Sequence, residues 1–253
     1  MMKVTLITVA YNSGGTIRKT LESIQSQDYP DIDHIVIDGA SKDNTVEIVE
    51  DFQHVQKLIS EPDKGMWDAL NKGLAIAEGD IIGMLNSDDV YANNTIISQI
   101  VEAFKTYPVD TIYGDIQFIS RTAPEKVVRY YSSKHFHPGK FRYGYMPAHP
   151  SFFVKRTVYE QYGYLKPDYR IASDYDLMIR FLKVYRVSYK YLDLMMVNML
   201  IGGKSTRGLK STYVLNKEIV RACRENGIYT NLFIVSLKYF RKVFEVIHPN
   251  RRG

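Results

Sequence analysis

The chain has 253 residues, of which 45% are hydrophobic and 24% charged, the composition of an ordinary globular protein with a sizeable core. Its single cysteine, Cys223, excludes an internal disulfide and suits a reducing compartment. The first residues lead directly into a strand-like segment and no uncharged apolar stretch approaches the ~20 residues of a membrane-spanning helix, so we expect a cytoplasmic protein without a signal peptide.

The positive charge of the chain is concentrated near its C-terminal end. From residue 204 onward there are 11 basic and 3 acidic side chains, a net charge of +8, whereas the whole chain carries +5 and residues 1–203 therefore carry −3. Such a basic segment favours contact with an anionic membrane surface or with nucleic acid.

The first half of the chain alternates between strand-like and helix-like patterns. Strands are predicted at 4–9, 34–37, 55–60 and 81–85, and helices at 16–27, 46–52 and 66–77. This alternation predicts parallel strands joined by right-handed crossovers, as in α/β domains that bind nucleotides.

Polar side chains follow each of these predicted strands. They are Tyr11, Asp38, the loop at 61–64 and the segment 86–89. Because open α/β sheets bind ligands at the carboxyl ends of their strands, we expect these groups to lie along one edge. The two adjacent carboxylates of the last segment suit Mg²⁺ or Mn²⁺ held together with substrate phosphates, and the alternative interpretation is a simple polar turn.

The second half of the chain has weaker patterns. We predict a helix from 94 to 104, strands at 111–118, 127–131 and 151–155, a loop rich in His, Gly and Tyr at 134–145, and a helix at 174–184. Near the end, large apolar side chains recur at steps of three and four, namely Phe233, Leu237, Phe240, Phe244 and Ile247. This basic amphipathic helix is suited to a bilayer interface, to another subunit or to packing on its own domain.

Five short motifs occur in a fixed order along the chain. They are Thr8-Val9-Ala10-Tyr11-Asn12, Val36-Ile37-Asp38-Gly39-Ala40-Ser41 with Asp43 and Thr45, Ser60-Glu61-Pro62-Asp63-Lys64-Gly65, Leu85-Asn86-Ser87-Asp88-Asp89, and Arg170-Ile171-Ala172-Ser173-Asp174-Tyr175-Asp176-Leu177. Together they resemble the family 2 glycosyltransferases, inverting enzymes of the GT-A fold that use nucleotide-sugar donors. The resemblance covers roughly residues 2–205.

The resemblance implies an α/β GT-A fold with a Rossmann-like, mostly parallel central sheet flanked by helices. It divides the chain into a glycosyltransferase domain at 1–208 and a basic, helical C-terminal extension at 209–253. Within the domain, residues 1–93 form a nucleotide-binding half and residues 94–208 an acceptor half.

The resemblance also implies roles for the residues that bind the donor. Tyr11 would stack on the donor base, most often uracil, and Asp38 would accept a hydrogen bond from the base or ribose. Lys64 would lie near the diphosphate. Asp88 matches the residue that binds Mn²⁺ or Mg²⁺ directly. The flanking residues would serve the ribose and the outer shell of the metal, and these are Asn86 and Asp89. The family pattern has an acidic residue at the position of Asn86, whereas the amide oxygen of Asn86 is uncharged.

The catalytic base implied by the resemblance is Asp174, which would deprotonate the acceptor hydroxyl for one in-line displacement with inversion. Ser173 precedes it where many relatives have Glu. Asp176 is the competing base, and on a helix it faces about 200° away from Asp174. Further acceptor or phosphate contacts are predicted at His149, Lys204 and Ser205.

We therefore predict a metal-dependent glycosyltransferase, transferring a hexosyl or N-acetylhexosaminyl group from a UDP-linked donor to a glycan or lipid-linked acceptor in bacterial surface polysaccharide synthesis. The basic segment at 228–252 suggests a peripheral contact with the inner face of the cytoplasmic membrane. Two alternatives remain open: a nucleotidyltransferase that uses the same acidic strand ends, and a nucleic-acid-binding module that uses the basic tail. The first would need a Gly-rich basic phosphate loop and the second interleaved aromatic and basic side chains on strands, so we expect no nucleic-acid partner.

Overall fold

The computed structural model describes residues 1–123, 125–201 and 208–239 of the chain. Its strands are β1 Val4–Ala10, β2 Ile32–Asp38, β3 Val55–Ser60, β4 Ile81–Met84, β5 Asp89–Tyr91, β6 Thr111–Ile119, β7 Val127–Tyr131, β8 Phe152–Lys155 and β9 Tyr189–Leu200. Its α-helices are α1 Ile17–Gln25, α2 Thr45–Glu50, α3 Met66–Ala75, α4 Ile96–Thr106, α5 Arg156–Tyr162, α6 Ser173–Ile179, α7 Gly208–Glu225 and α8 Leu232–Ser236.

The strands of the described ranges form one nine-stranded sheet. Its order is β3-β2-β1-β4-β8-β6-β9-β5, and β7 pairs with β6. The first four strands are parallel, as the crossover pattern predicts. In the second half β6 and β9 are parallel, whereas β8, β5 and β7 pair antiparallel with their neighbours. The α/β fold is confirmed, with a parallel first half and a mixed second half, and the sheet is continuous across the predicted division at residue 93.

The central strands are buried on both faces because helices cover the sheet on each side. Every residue of β1 is buried, and so are all but the first of β2. Gly83 of β4 packs directly against two core side chains, since an added Cβ would be 2.3 Å from Phe153 Cε1 and 3.0 Å from Leu6 Cδ2. A side chain there would have to displace a buried ring.

Several elements differ from the sequence prediction. Strand β5 was not predicted: Asp89, placed by the sequence in the polar segment after β4, begins β5, which pairs with β9. Strand β9 and helix α5 were not predicted at all. The helix expected at 174–184 ends as an α-helix at Ile179 and continues as a π-helical turn over Arg180–Val184.

The C-terminal helices pack on the sheet domain. Four side chains of α7 are buried in the same core cluster as β1 and α3, namely Ile219, Val220, Ala222 and Cys223. Cys223 is a free thiol whose pKa burial raises to about 11. The predicted boundary at 208 coincides with the start of α7, yet α7 shares the core of the domain that precedes it.

The described part of the basic segment is not uniformly exposed. Arg221 forms ion pairs with Asp168 and with Glu225, at 2.6 Å for the latter, and Lys238 is only 5% exposed. The apolar face predicted for the last helix is not the face that is buried. Phe233, on the predicted face, is 75% exposed, whereas Val235 packs in the core. Phe240, Phe244 and Ile247 lie outside the described residues. Among the described helices, none is long and apolar enough to cross a bilayer.

Candidate active site

The ends of the parallel strands bring three loops together at one edge of the sheet. The Ser13 hydroxyl, after β1, is 2.8 Å from the hydroxyl of Ser87, after β4. The Asn12 backbone N–H donates to Ser41 Oγ, after β2, at 2.8 Å. The predicted gathering of polar groups at this edge is therefore confirmed.

Tyr11 lies at the surface of this edge with half of its side chain exposed. Gly39 packs between Tyr11 and Asp63, because an added Cβ would lie 2.4 Å from Asp63 Oδ2 and 3.3 Å from Tyr11 Cδ2. The ring thus keeps an accessible surface on which a flat group can stack.

Asp38, at the end of β2, is fully buried. Its Oδ2 accepts hydrogen bonds from the Ser41 backbone N–H at 2.9 Å and from Ser60 Oγ at 2.7 Å, and its Oδ1 accepts one from Ser41 Oγ. Asp38 therefore ties together the loops that follow β2 and β3, and its direct contact with a donor remains a prediction.

Lys64 extends from a loop that is held at both ends. Its backbone N–H donates to Asp68 Oδ2 at 3.0 Å, and Lys72 pairs with Glu61 at 2.7 Å. The Lys64 side chain is exposed, and its ammonium has no ion-pair partner within the part of the chain that the structure describes. The loop therefore presents a cation that remains available to an anionic ligand.

The two carboxylates of the acidic segment after β4 differ in exposure. Asp88 is partly exposed and lies 3.6 Å from the Arg121 guanidinium. Asp89 is 1% exposed and accepts a hydrogen bond from Asn86 Nδ2 at 3.1 Å. Burial, with the neighbouring charge of Asp88, raises the pKa of Asp89 to about 8. Asp88 is thus the accessible carboxylate, and Asp89 lies behind it.

The chemistry of this segment fits a divalent cation that is shared with a ligand. Asp88 already faces one cation, the guanidinium of Arg121. Within the described ranges there is no cluster of three or more His, Cys, Asp or Glu side chains placed to hold a metal ion. A site with one protein carboxylate suits Mg²⁺ or Mn²⁺, which are commonly held by one or two carboxylates and by phosphate oxygens of the substrate.

Asp174 lies in the first turn of α6 and is partly buried. Its Oδ1 accepts the Tyr175 backbone N–H at 2.8 Å. Burial raises the pKa of Asp174 to about 7, and the negative charge of Glu218 acts in the same direction. A carboxylate with such a pKa accepts a proton readily near neutral pH.

Asp176, the competing base, is engaged elsewhere. It is fully buried, and its oxygens accept hydrogen bonds from Lys166 Nζ at 3.0 Å, Arg180 Nε at 2.9 Å and Asn226 Nδ2 at 2.8 Å. A buried carboxylate that is paired with two cations is a structural anchor, and the role of Asp174 as the base remains a prediction.

Comparison with known proteins shows the family of the chain. The family model described as Glycosyl transferase family 2 matches residues 5–163. The chain belongs to glycosyl transferase family 2. The resemblance is confirmed, and with it the assignment as a transferase enzyme; the nucleotidyltransferase and nucleic-acid-binding alternatives are not supported.

Individual relatives agree with the family assignment. An uncharacterized glycosyltransferase of Mycobacterium tuberculosis is 33% identical over 190 residues, covering 70% of this chain and 68% of its own. The structure of S. aureus TarS 1–349 in complex with UDP-GlcNAc has a TM-score of 0.67 at 17% identity, over 98% of this chain and 74% of that one. The mannosyltransferase PcManGT from Pyrobaculum calidifontis, in complex with GDP-Man and Mn²⁺, has a TM-score of 0.56 at 18% identity, over 96% and 80%. At these identities the two structures concern the fold alone.

His149 lies in a short 3₁₀ turn of this glycosyltransferase, against the edge of the Trp67 ring, with 6.4 Å between the ring centroids. Its Nε2 is buried and has no hydrogen-bond partner among the described residues, and the same is true of Trp67 Nε1. Burial lowers the pKa of His149 to about 4, so the imidazole is neutral at pH 7 and brings no positive charge to a phosphate. The other predicted contacts, Lys204 and Ser205, lie outside the described residues.

Two residues of the site were missed by the sequence analysis because their partners are distant in the chain. Asn71 on α3 exchanges two hydrogen bonds with the Leu165 backbone, at 2.8 and 3.1 Å, and so links the helix after the Lys64 loop to the approach to Asp174. Glu218 on α7 accepts hydrogen bonds from the segment just before Asp174. The helix predicted at 66–77 contains Asn71, but its pattern did not indicate the contact with Leu165. No motif indicated Glu218.

Proposed function

We propose that this family 2 enzyme transfers a hexosyl or N-acetylhexosaminyl group, with inversion, from a UDP-linked sugar to a hydroxyl of a glycan or lipid-linked acceptor in surface polysaccharide synthesis, and that it depends on Mn²⁺ or Mg²⁺. The observation that carries the proposal is the meeting of Tyr11, Asp38 and the acidic segment at one sheet edge. TarS with UDP-GlcNAc and PcManGT with GDP-Man and Mn²⁺ share this fold and support a nucleotide-sugar donor and a divalent metal.

The donor half of the proposed site combines a stacking surface with positive charge. The exposed ring of Tyr11 receives the base, and Lys64 neutralises the diphosphate that departs. Asp88 would hold the divalent cation, which when bound provides electrostatic stabilisation of the leaving group. Asn86 and Asp89 orient the segment through their mutual hydrogen bond.

The reaction itself needs one proton acceptor. Asp174 takes the proton from the acceptor hydroxyl as that oxygen attacks the anomeric carbon. The bond from the anomeric carbon to the diphosphate breaks in the same step, and the nucleoside diphosphate leaves with the electron pair. Attack opposite the leaving group inverts the anomeric configuration, and its rate depends on Asp174 being ionised.

The exposed apolar side chains around α8 support a peripheral membrane contact. We name as the α8 patch four side chains that are between 38% and 75% exposed, namely Tyr229, Leu232, Phe233 and Leu237. The segment from residue 204 onward carries a net charge of +8, which is complementary to an anionic lipid surface. Aromatic side chains beside basic ones are typical of segments that lie in the headgroup region.

The test of the donor site is calorimetric binding of UDP-, GDP- and dTDP-sugars with Mn²⁺, with Mg²⁺ or with a chelator. We expect a UDP-sugar to bind best, and the substitution Asp88→Ala to weaken metal-dependent binding by about tenfold or more, because a carboxylate ligand is lost. Asp51→Ala, which removes an exposed carboxylate paired only with Arg18 among the described residues, is the matched control. The proposal fails if no nucleotide sugar binds or is turned over, and the metal assignment fails if Asp88→Ala binds the donor as the native enzyme does.

A further inference from the structure

Glu218 of α7 lies against the segment that leads into α6. Its Oε1 accepts the Arg170 backbone N–H at 2.8 Å, and its Oε2 accepts those of Ile171 at 2.8 Å and Ala172 at 2.9 Å. Three consecutive N–H groups that converge on one oxygen pair form an anion-binding nest, and in this protein the anion comes from a distant helix of the same chain.

The start of α6 depends on this contact because it lacks an ordinary cap. Ala172 occupies the N-cap position, and its methyl side chain has no oxygen to accept an N–H of the first turn. Asp174 instead accepts the N–H of Tyr175, and the Ser173 hydroxyl donates to the Lys166 carbonyl at 2.7 Å. Glu218 therefore fixes the backbone immediately before the proposed base.

We propose that Glu218 is a positioning residue for Asp174, because it anchors the three peptide groups before α6 and presents a second negative charge to the base. This inference rests on the proposed role of Asp174. Its contacts differ from those of Glu225, two turns further along α7, which binds Lys166 and Tyr169 at 3.0 Å each and Arg221 at 2.6 Å.

The electrostatic part of the inference follows from the charges that face the start of α6. Burial is the main cause that raises the pKa of Asp174, and the negative charge of Glu218 adds to it. Asp176 and Glu225 are each neutralised by two cations, with Lys166 common to both. Glu218 accepts only backbone N–H groups among its described hydrogen bonds, so none of these bonds brings a cationic side chain to it.

The experiment compares Glu218→Gln, Glu218→Ala and the matched control Glu225→Gln. Gln keeps the length and one acceptor oxygen but removes the charge, whereas Ala removes every bond to the three amides. We expect the pH at half-maximal kcat to fall by roughly a few tenths of a unit in both Glu218 variants, because a like charge near Asp174 is lost. Glu218→Ala should in addition lower kcat about tenfold or more with the donor KM unchanged, because the base is less well positioned.

Two further measurements separate this inference from the proposed function. A carboxyl NMR titration of Asp174 in the absence of substrate should show the same downward shift in the Glu218 variants, and no shift in Glu225→Gln. Unchanged titration and unchanged kcat in Glu218→Gln and Glu218→Ala would overturn the role of Glu218 alone. Full activity of Asp174→Asn would overturn the base assignment itself and, with it, the catalytic role inferred for Glu218.

Discussion

Two carboxylates that are two residues apart on α6 have opposite surroundings. Asp176 is fully buried and forms ion pairs with Lys166 and Arg180. Asp174 has no cationic ion-pair partner within the described ranges and lies near another acidic group, Glu218. A carboxylate that acts as a base becomes neutral when it accepts a proton. The carboxylate without a cationic partner, Asp174, is therefore suited to catalysis, and the ion-paired Asp176 is not.

The first prediction at the scale of the residue concerns Asp174→Asn. An amide cannot accept the proton of the acceptor hydroxyl, so we expect kcat to fall by about 10²–10⁴-fold while donor affinity stays unchanged. In the native enzyme kcat should rise with pH through about 7, the pKa of Asp174. Steady-state kinetics and calorimetric donor binding across this pH range are the measurements.

The substitution Asp174→Asn should also change the stability of the protein, because a carboxyl group with a raised pKa destabilises the folded state when it is ionised. Because the folded pKa of about 7 exceeds the unfolded value of 3.8, the contribution of Asp174 to stability is complete below pH 3.8 and is lost as the pH rises through 7. At pH 8 the Asp174→Asn variant should therefore unfold at a higher urea concentration than the native protein, because its free energy of unfolding is larger by at most about 4 kcal/mol. This difference in free energy should vanish near pH 4. A variant that is active, or equally stable at both pH values, would contradict this account.

At the scale of secondary structure, the polar contacts of Asp176 join α6 to the neighbouring loop and to the end of α7. Removing this carboxylate with Asp176→Ala leaves Lys166 and Arg180 without their shared anion. We expect the free energy of unfolding to fall by about 3–5 kcal/mol, the usual cost of breaking a buried ion pair from one side. Urea unfolding at pH 7 measures the change.

The control for this prediction is Asp51→Ala, which breaks an exposed ion pair with Arg18 at 3.0 Å. Exposed pairs contribute less than about 1 kcal/mol, so this variant should unfold close to the native protein. If Asp176→Ala proved as stable as the control yet inactive, Asp176 would replace Asp174 as the candidate base.

The elements that the sequence predicted well are those whose signal is local. The alternation of apolar strands and helices at 4–85 predicted β1 to β4 and the helices between them, because each pattern lies within a few residues. Strand β9 was missed because its Met- and Leu-rich sequence gains its conformation by pairing with β6 and β5, both distant in the chain. Strand β5 has only three residues and likewise depends on β9.

The candidate site divides in the same way. The motifs indicated Tyr11, Asp38 and Asp88, because each follows a strand and the edge of a parallel sheet collects such residues. They did not indicate which carboxylate of a pair is buried, since the burial of Asp89 depends on β9. Nor did they indicate Glu218, whose three partners are 46 to 48 residues away in sequence.

Taken as a whole, the molecule is linked across its two halves and its C-terminal helices by contacts near the site. Asn71 on α3 binds the Leu165 backbone, and Glu218 on α7 binds the segment before α6. Helix α7 therefore holds in place the segment that leads to the proposed base Asp174. With its inner face committed to the core through Val235, α8 presents its outer face to the surroundings.

The last prediction concerns what that outer face contacts. The α8 patch exposes Tyr229 and Phe233 at 75% each, and we expect the protein to sediment with vesicles that contain phosphatidylglycerol and to be released as salt is raised. The double substitution Tyr229→Ser and Phe233→Ser should weaken vesicle binding by about tenfold or more, because burying one large apolar side chain contributes about 1.5–3 kcal/mol. Tyr213→Ser on α7, which removes an aromatic ring that is 55% exposed but outside the patch, is the control and should bind as the native protein does. Equal binding by the double variant and the control would exclude a membrane role for the patch. If the double variant instead turned a dimer into a monomer in analytical ultracentrifugation, the patch would be an interface between two copies of the chain.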